Sequence, residues 1–501
     1  MANKIEVLKQ AKDGLDVLPD IRRYAAESTP VSEIPDDDLV RMKWYGVFHR
    51  QQTPGFFMMR LRTPGGRLTG EQAMTIAGIA HEFGREMVDV TTRQNLQLRW
   101  LTLEIIPEVW RRLEAVGMTS LQSGMDNVRN YVSCPLAGLD TDEIIDTRPI
   151  VAALGRAHLG NREYSNLPRK FNISITGCRE DCGQAQSQDL AFVPATRNVA
   201  GRPTVGFNVL AGGALGGTSP RLATPLEVFV RPAEVVPLFQ AVLRVFRDHG
   251  PREQRTKARL KWLIGQWGEA RFREAVEAEM GGPLLGPGDD ARRRFDGDHL
   301  GVHRQREPGL HYVGLHVPVG RLTATQLERL ARLATRDGDG ELRLTIGQNV
   351  IIPNVQEDNL KRLLAEPLLR ELRPIPAPVW RNLVACTGID YCHYSLIDTK
   401  SRAVELAKEL EQRGVYVPEG TRIHISGCVH ACGKHHIADI GLQGANVRVG
   451  DTVEEAADVY ADGELGPNGR LASRVADKVR MQDLPDVVER LLLRDAIDEA
   501  S

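Results

Sequence analysis

The chain has 501 residues and a formal net charge of −2, and apolar and charged residues make up 42% and 26% of it. This composition is typical of a soluble globular protein with several domains. The charge gives no reason to expect a nucleic-acid partner, and no run of about 18 apolar residues predicts a membrane span. The charged start, MANKIEVLKQAKDGLDVL, does not resemble a secretory signal. We therefore expect a cytoplasmic protein.

The first predicted elements follow one another as strand, helix and strands. The apolar run FFMMRLR, which begins at Phe56, predicts a strand. Thr69 and Gln72 then form a capping box, in which a hydroxyl and an amide satisfy free amides at a helix start. One apolar helix face and two alternating strands follow: Ile76, Ile79, Ala80 and Phe83, then Val88, Val90, Leu96, Leu98 and Trp100. This order predicts an α+β fold with mixed sheets.

The same series of elements occurs twice in the chain. PGFFMMRLRTPGGRLTGEQ corresponds to PGLHYVGLHVPVGRLTATQ at an offset of 254 residues, and TTRQN corresponds to TIGQN at the same offset. The offset is 252 for VRNYVSC and WRNLVAC, and 250 for FNVLAGGALG and ADVYADGELG. Such a small drift indicates two fused copies of one folding unit. The polar stretch GPGDDARRRFDGD is the predicted linker between them.

Four of the seven cysteines lie in the second copy, as Cys386-x5-Cys392 and Cys428-x3-Cys432. An odd count without a secretory signal does not indicate a disulfide framework. Four thiolates suit tetrahedral zinc or an iron–sulfur cluster, and a five-residue gap is uncommon in zinc sites. Four buried core cysteines are the third interpretation that the spacing leaves open.

The pattern Cys-x5-Cys followed by SGC-x3-C and DIGL resembles the family of sirohaem-containing nitrite and sulfite reductases, and within it the ferredoxin-dependent assimilatory nitrite reductases. The resemblance covers nearly the whole chain. It implies that Cys386, Cys392, Cys428 and Cys432 hold a [4Fe–4S] cluster, and that Cys432 also bridges to the sirohaem iron. It implies two pseudo-symmetric lobes with the cofactors between them, each lobe pairing a ferredoxin-like half-domain with a larger α/β domain.

The repeat and the resemblance together predict six segments of the chain. They are an N-terminal extension (1–45), the first ferredoxin-like half-domain (46–118), the first sirohaem-side α/β domain (119–280), a linker (281–300), the second half-domain (301–372) and the second α/β domain (373–501). We expect the first α/β domain to supply cations and the second to carry the cluster.

The two copies differ at chemically important positions. Only the second copy has four cysteines, because Asp140 stands where the second has Cys392. The first copy has gained cations instead: Arg93 faces Gly347 and Lys170 faces Gly420 in the comparison, while Asn172 faces Arg422. Arginine and lysine stabilise carboxylates and anionic ligands, and a desolvated lysine can donate protons. One lobe is therefore expected to supply electrons and the other positive charge.

The resemblance implies roles for individual residues of the first copy. The substrate face of the sirohaem is expected to carry four catalytic residues: Arg93, Arg129, Lys170 and Asn172. Contacts with the sirohaem itself are expected from Cys432, Arg93, Asn95, Arg129 and Lys170, and from the backbone amides of Gly212 and Gly213. The chain departs from the family at Val429-His430-Ala431, where Pro-Asn and a small residue are usual.

The remaining cysteines and histidines are assigned no part in this site. Cys178 and Cys182 are interpreted as relics of the duplication, with a second metal site as the alternative, and Cys134 is assigned no role. His430, His435 and His436 follow the cluster motif, and we do not expect them to bind metal, because four thiolates complete a cluster.

The resemblance predicts the six-electron reduction of nitrite to ammonia by a monomer that receives electrons from reduced ferredoxin. The basic segment RTKARLKW, from Arg255 to Trp262, is the candidate docking patch. Lys170-x-Asn172 and Gly124 favour nitrite, because sulfite-reducing relatives carry Lys-x-Lys and can carry a cysteine at the glycine position. The alternatives are a ferredoxin-dependent sulfite reductase, a cobalamin-pathway precorrin oxygenase of related fold, and a non-catalytic cluster protein.

Overall fold

A computed structural model of the chain describes residues 3–293, 298–466 and 469–499. The described helices are α1 Lys4–Ala11, α2 Leu18–Ala26, α3 Asp36–Arg41, α4 Gly70–Phe83, α5 Ile106–Ala115, α6 Arg148–His158, α7 Val235–His249, α8 Leu260–Trp267, α9 Glu269–Met280, α10 Ala324–Asp337, α11 Glu357–Leu364, α12 Leu368–Glu371, α13 Pro378–Arg381, α14 Thr399–Gln412 and α15 Leu484–Glu499. Among them, no helix is both long enough and apolar enough to cross a membrane.

The described strands fall into four sheets. They are β1 Val47–His49, β2 Phe57–Arg60, β3 Arg67–Thr69, β4 Met87–Val90, β5 Leu96–Leu101, β6 Val128–Ser133, β7 Phe171–Ile175, β8 Leu190–Val199, β9 Arg202–Ala211, β10 Thr224–Val230, β11 Asp289–Asp290, β12 Gly301–Arg304, β13 Leu310–Leu315, β14 Arg321–Thr323, β15 Glu341–Leu344, β16 Val350–Gln356, β17 Leu383–Ala385, β18 Ile423–Ser426, β19 Ile440–Val449, β20 Thr452–Ala461 and β21 Ser473–Arg480.

The two smaller sheets exchange one strand with each other. Their strand orders are β1-β2-β5-β4-β14 and β12-β13-β16-β15-β3, so each fifth strand comes from the other copy. Leu322 of β14 pairs with Val88 of β4, and Leu68 of β3 pairs with Leu342 of β15. Helices α4 and α10 pack on one another, and both copies contribute to one apolar core. The ferredoxin-like halves therefore form a single packed unit.

The two larger sheets repeat one mixed topology. Their orders are β10-β9-β8-β7-β6, with β11 beside β8, and β17-β18-β19-β20-β21. In each sheet the first three strands of the copy run parallel and the next two are antiparallel. Each sheet has its own core. The predicted α+β fold of two pseudo-symmetric copies is confirmed.

The predicted capping boxes and helix faces are present. The Thr69 hydroxyl accepts from the Gln72 amide while the Gln72 side chain accepts from the Thr69 amide, and Thr323 and Gln326 repeat both bonds. Ile76 and Ile79 are fully buried. The six segment boundaries stay a prediction; within the predicted linker 281–300, residues 294–297 lie outside the described part of the chain.

Candidate active site

All four cysteines of the second copy lie at one edge of its larger sheet. Cys386 follows β17 and Cys428 follows β18, and these strands are parallel, so their carboxyl ends meet at the same edge. Cys392 and Cys432 follow in the adjoining loops. The four thiols line one cleft. Within the described chain, they do not form a group as tight as a single metal ion requires, which favours a cluster over zinc.

Backbone contacts hold this cysteine edge in place. The amide of Gly427 donates to Cys386 Sγ over 3.2 Å, and the Thr399 hydroxyl donates to the Cys386 carbonyl over 2.6 Å. From the other copy, Thr92 Oγ1 donates to the Cys432 carbonyl over 3.0 Å. Thr92 precedes Arg93, so this bond brings the loop of Arg93 to the cysteine loop.

The lining of this cleft is strongly basic. The cleft spans about 1560 Å³, part of it open to solvent, and none of the described residues that line it is Asp or Glu. Nine of the residues that line it are cationic: Lys43, Arg50, Arg60, Arg93, Arg99, Arg129, Arg169, Lys170 and Arg255. Three of them pair with acids outside the lining, Arg99 with Asp89, and Arg169 and Arg255 with Asp126. The other six make no ion pair among the described residues, and uncompensated cations in one partly buried site are costly. The cleft is therefore suited to a ligand with several negative charges.

Burial and mutual repulsion weaken proton binding by these cations. Burial first, and then the guanidinium groups of Arg93 and Arg50, lower the pKa of Arg60 to about 9. The pKa of Lys170 lies well below its usual range because of burial first and then because of Arg259 and Arg93. A lysine with such a lowered pKa is a better proton donor at neutral pH than an exposed lysine.

Arg129 is fixed by the loop that precedes its strand. It lies on β6, and its guanidinium donates to the carbonyls of Ser123 over 2.8 Å and Met125 over 2.7 Å. Within the described chain, its Nε and the Nε of Arg50 are buried without a hydrogen-bond partner. Such donors fit a polyanionic cofactor, because buried donors without acceptors are costly.

The two asparagines predicted for the site are placed differently. Asn172 lies on β7, two residues after Lys170, is 5% exposed and is not among the described residues that line the cleft. Its backbone N–H donates to Asp189 Oδ2 over 2.7 Å. Asn95 lines a cavity that continues the cleft. Its Oδ1 accepts from the Thr63 amide, and Asn349 makes the same bond with Val317 in the second copy. This hydrogen bond of Asn95 is therefore a structural feature that both copies of the fold share.

Gly212 and Gly213 are held by backbone hydrogen bonds. Their amides donate within the chain, to the carbonyls of Asp189 over 2.9 Å and Gln188 over 2.8 Å. A Cβ at Gly213 would lie 2.3 Å from the carbonyl oxygen of Gln186. The glycines permit close chain packing, and their amides are bonded within the chain, which does not favour a contact with a sirohaem carboxylate; that contact stays a prediction.

The candidate docking patch offers little free charge, because three of its four cations are engaged within the chain. Lys257 is exposed, and docking at this segment stays a prediction. Arg259 is buried and pairs with Asp189 at 2.6 Å. Arg255 donates to both carboxylate oxygens of Asp126 and lines the cleft. Lys261 is buried and donates to the carbonyl of Ser219. The basic residues of this segment predict a surface patch, whereas most of their side chains point into the protein.

Three cations of the cleft were missed by the sequence reasoning although the repeat marks them. Each has no basic counterpart in the second copy: Arg60 corresponds to Gly314, Arg99 to Pro353 and Arg169 to Glu419. The signal that singled out Arg93 and Lys170 was therefore also present for them. Of the three histidines, His430 lines the cleft, while His435 and His436 are buried and pack against Tyr460.

Comparisons with known proteins agree with this site. The family model "Nitrite and sulphite reductase 4Fe-4S domain" matches residues 124–284 and 377–493, and "Nitrite/Sulfite reductase ferredoxin-like half domain" matches residues 49–116 and 303–369. The chain belongs to the nitrite and sulphite reductase family. The resemblance seen in the cysteine pattern is thus confirmed.

Similar members of the family cover most of the chain. A "Ferredoxin--nitrite reductase" from Synechococcus elongatus is 46% identical, and the match covers 98% of this chain and 96% of the relative. A chloroplastic "Ferredoxin--nitrite reductase" from Zea mays is 43% identical over 95% of this chain and 85% of the relative. The solved structure of Mycobacterium tuberculosis NirA has a TM-score of 0.90 and 33% identity, covering 98% of this chain and 92% of that one.

Proposed function

We propose that the chain reduces nitrite to ammonia with six electrons that reduced ferredoxin delivers. The observation that supports this function best is one cleft that is lined by four thiols and by nine basic residues. An anionic substrate and a polycarboxylate cofactor both suit such a lining. The relatives named as ferredoxin–nitrite reductases do not favour the sulfite reductase or the precorrin oxygenase.

The residues of the cleft fit the two cofactors of the family. Four thiolates match the ligand set of a [4Fe–4S] cluster, which the four cysteines would hold. Cys432, whose carbonyl accepts from Thr92 of the other copy, would be the ligand shared with sirohaem, as the family resemblance implies. Arg50 and Arg129 are proposed to bind sirohaem carboxylates through their unpartnered Nε atoms. When bound, the two groups supply single electrons and an iron site for the substrate.

Residues of the first copy are proposed to bind the nitrite anion and to donate protons to it. Arg93 and Arg129 hold the anion by hydrogen bonds, which strengthen as negative charge develops. Lys170 donates protons from Nζ, and its lowered pKa matches that task. Asn172 contributes a neutral amide where a second cation would favour a more highly charged anion.

Both walls of the cleft come from one chain, and we propose that the enzyme is a monomer. No second copy is needed to complete the cleft that the described residues form. Size-exclusion chromatography with light scattering measures this directly: the expected mass is that of one chain, 55.6 kDa plus cofactors. A dimer that persists on dilution would contradict the proposal.

The decisive experiment offers each anion separately to the purified protein. Reduced ferredoxin is supplied with nitrite or with sulfite, and ammonia and sulfide are quantified. We expect ammonia, formed faster than sulfide, and one ammonia for every six ferredoxins oxidised. Faster formation of sulfide, or no turnover of either anion by a cofactor-loaded protein, would overturn the proposal.

A pair of cysteine substitutions tests the cofactor assignment. Cys432→Ser is expected to disturb the absorbance of both sirohaem and the cluster, because one sulfur is proposed to bind both. The matched variant Cys182→Ser, at the corresponding position of the first copy, is expected to leave both spectra unchanged. Loss of iron from Cys182→Ser would show that the cluster is not confined to the second copy.

A further inference from the structure

The three cysteines of the first copy come together in the fold. Cys134 follows β6 and Cys178 follows the parallel strand β7, so both lie at one sheet edge, and Cys182 follows in the next turn. The Cys182 sulfur lies 3.6 Å from that of Cys134 and 3.7 Å from that of Cys178. All three residues are at most 2% exposed.

These distances match the coordination shell of one metal ion. Zinc binds thiolates at about 2.3 Å with tetrahedral geometry, which places neighbouring sulfurs about 3.8 Å apart. The three sulfurs lie within 4.8 Å of one another, which the second-copy thiols of the described chain do not. In a [4Fe–4S] cluster each thiolate binds a different iron, and the fourth cysteine position is occupied here by Asp140. The geometry is that of a mononuclear site.

A fourth donor approaches the same sulfur from the segment before the second copy. His299 Nε2 lies 3.2 Å from Cys182 Sγ. It does not lie within 4.8 Å of all three sulfurs, so its side chain would move towards them to complete a tetrahedral shell. The backbone of His299 is left-handed, with φ of 60°, which is uncommon for a residue other than glycine. Gly314 makes room for it, because a Cβ at Gly314 would lie 1.7 Å from the His299 carbonyl oxygen.

Hydrogen bonds from neighbouring residues position both the segment of His299 and the thiol of Cys134. Asp298 accepts from Arg381 at 2.7 and 2.9 Å, which fixes the residue before His299. The amide of Leu136 donates to Cys134 Sγ over 3.4 Å, and such bonds orient and stabilise metal-bound thiolates. Buried cysteines also occur as small apolar core residues. Here the cysteines pack on one side against Leu136, Tyr312 and Ile351, and on the other side the Glu180 carboxylate lies 3.9 Å from Cys182 Sγ, so the setting is apolar only in part.

We propose that Cys134, Cys178, Cys182 and His299 bind one Zn²⁺ ion in a structural site. Three cysteines and one histidine form a ligand set of closed, four-coordinate zinc sites. The ion would occupy the position in the first copy that corresponds to the cluster in the second. It would fasten the segment around His299 to the first lobe. The inference is independent of the proposed activity, because zinc takes no part in electron transfer.

The test uses the cofactor-loaded enzyme isolated from cells grown with added zinc. Elemental analysis is expected to find one zinc per chain besides the iron. X-ray absorption at the zinc edge, which iron does not disturb, is expected to show three sulfurs near 2.3 Å and one nitrogen near 2.0–2.1 Å. This measurement on the wild type needs no variant. Absence of zinc, a disulfide among the three cysteines, or a shell of oxygen atoms would overturn the proposal.

Matched variants assign the ligands. Cys178→Ser is expected to lose most of the zinc and keep the iron, whereas Cys386→Ser is expected to lose iron and keep the zinc. His299→Ala is expected to keep the three sulfurs and lose the nitrogen from the zinc shell. If Cys178→Ser retained zinc, or if the nitrogen remained in His299→Ala, the assignment would be wrong.

Discussion

Two arginines of the cleft, Arg60 and Arg129, are oriented by backbone carbonyls and not by acidic side chains. Arg60 bonds the Ser123 carbonyl at 3.1 Å, and Arg129 bonds the same carbonyl at 2.8 Å, so both guanidinium groups are held by backbone instead of by acids. Carbonyls orient an arginine without neutralising it. The charge of each group therefore stays available to an anion in the cleft.

Asn172 is the residue at which we expect the choice between nitrite and sulfite to be made. Asn172→Lys would place a second ammonium near Lys170, which favours sulfite because sulfite can carry two negative charges. We expect the ratio of sulfite to nitrite activity to rise by about ten-fold or more, since one polar contact is worth about 1–3 kcal/mol. Rates on each anion are measured with reduced ferredoxin.

Asn172→Gln is the control for this substitution, because it keeps the amide and changes only its reach. It is expected to keep the preference for nitrite. An unchanged ratio of sulfite to nitrite activity in Asn172→Lys, with both cofactors bound, would contradict the prediction.

The cysteine of some sulfite-reducing relatives has no room at Gly124, where a Cβ would lie 2.1 Å from the Lys43 carbonyl oxygen.

Lys261 gives the free energy of unfolding a predictable dependence on pH. Burial, and then Arg259, lower its pKa to about 8, whereas in the unfolded chain it is about 10.4. Between these values the unfolded chain binds more protons, so the free energy of unfolding rises with pH by up to roughly 3 kcal/mol. Lys261→Met is expected to remove this rise, as measured by denaturant unfolding from about pH 8 to 10.

Lys257→Met is the matched control, because Lys257 is exposed and also lies over the Trp262 ring, at 5.8 Å against 5.6 Å for Lys261. It is expected to keep the wild-type pH dependence. If the free energy of unfolding changed equally with pH in the wild type and in Lys261→Met, the buried ammonium would not titrate in this range.

At the scale of elements, each ferredoxin-like half is tied together by a capped helix that begins at the exchanged strand. Thr69 and Thr323 end β3 and β14 and also cap α4 and α10. The same residue therefore closes a helix and joins the sheet of the other copy. A capping change affects the joint between the copies as well as the helix.

Thr69→Ala and Thr323→Ala are each expected to lower the free energy of unfolding by about 1 kcal/mol, the usual cost of a lost cap. Similar values are expected because the two capping boxes have the same hydrogen bonds. Thr75→Ala makes the same chemical change inside α4 and is expected to cost nothing, since alanine is the better helix former. Equal effects at positions 69 and 75 would refute the capping argument.

On the scale of the whole molecule, the copies are held together by more than the chain between them. The strand exchange joins their sheets. Arg343 of the second copy is fully buried and donates to the carbonyls of Pro135 and Ala137 at 2.9 and 2.7 Å. These contacts join the two copies, both of which contribute residues to the cleft.

Cutting the chain between the copies is therefore expected to leave one particle. A protease site placed between residues 293 and 298 is cleaved to completion, as judged by a denaturing gel. The two fragments are expected to elute together in size-exclusion chromatography and to retain the cofactor absorbance, because exchanged strands and a shared core remain. Separation into two folded fragments would contradict this expectation. The uncut protein is the control.

Local patterns in the sequence predicted the repeated fold and one wall of the cleft. Thr69 and Gln72 form their capping box from residues three apart, and the spacing from Cys386 to Cys432 carries the cluster pattern within one strand, helix and strand unit. Comparing the copies also identified Arg93 and Lys170. These signals are readable because each depends on neighbours in the sequence, or on the fixed offset of a duplication.

Tertiary structure alone decided which groups face one another. The sequence suggests that Arg259 is a surface cation, whereas in the structure it pairs with Asp189, 70 residues away. The sequence suggests that Gly213 contacts a cofactor, whereas its backbone amide is bonded to Gln188. His299 meets Cys182 across 117 residues. No local pattern encodes such contacts, because they arise when parallel strands bring distant loops to one edge of a sheet and two copies pack together.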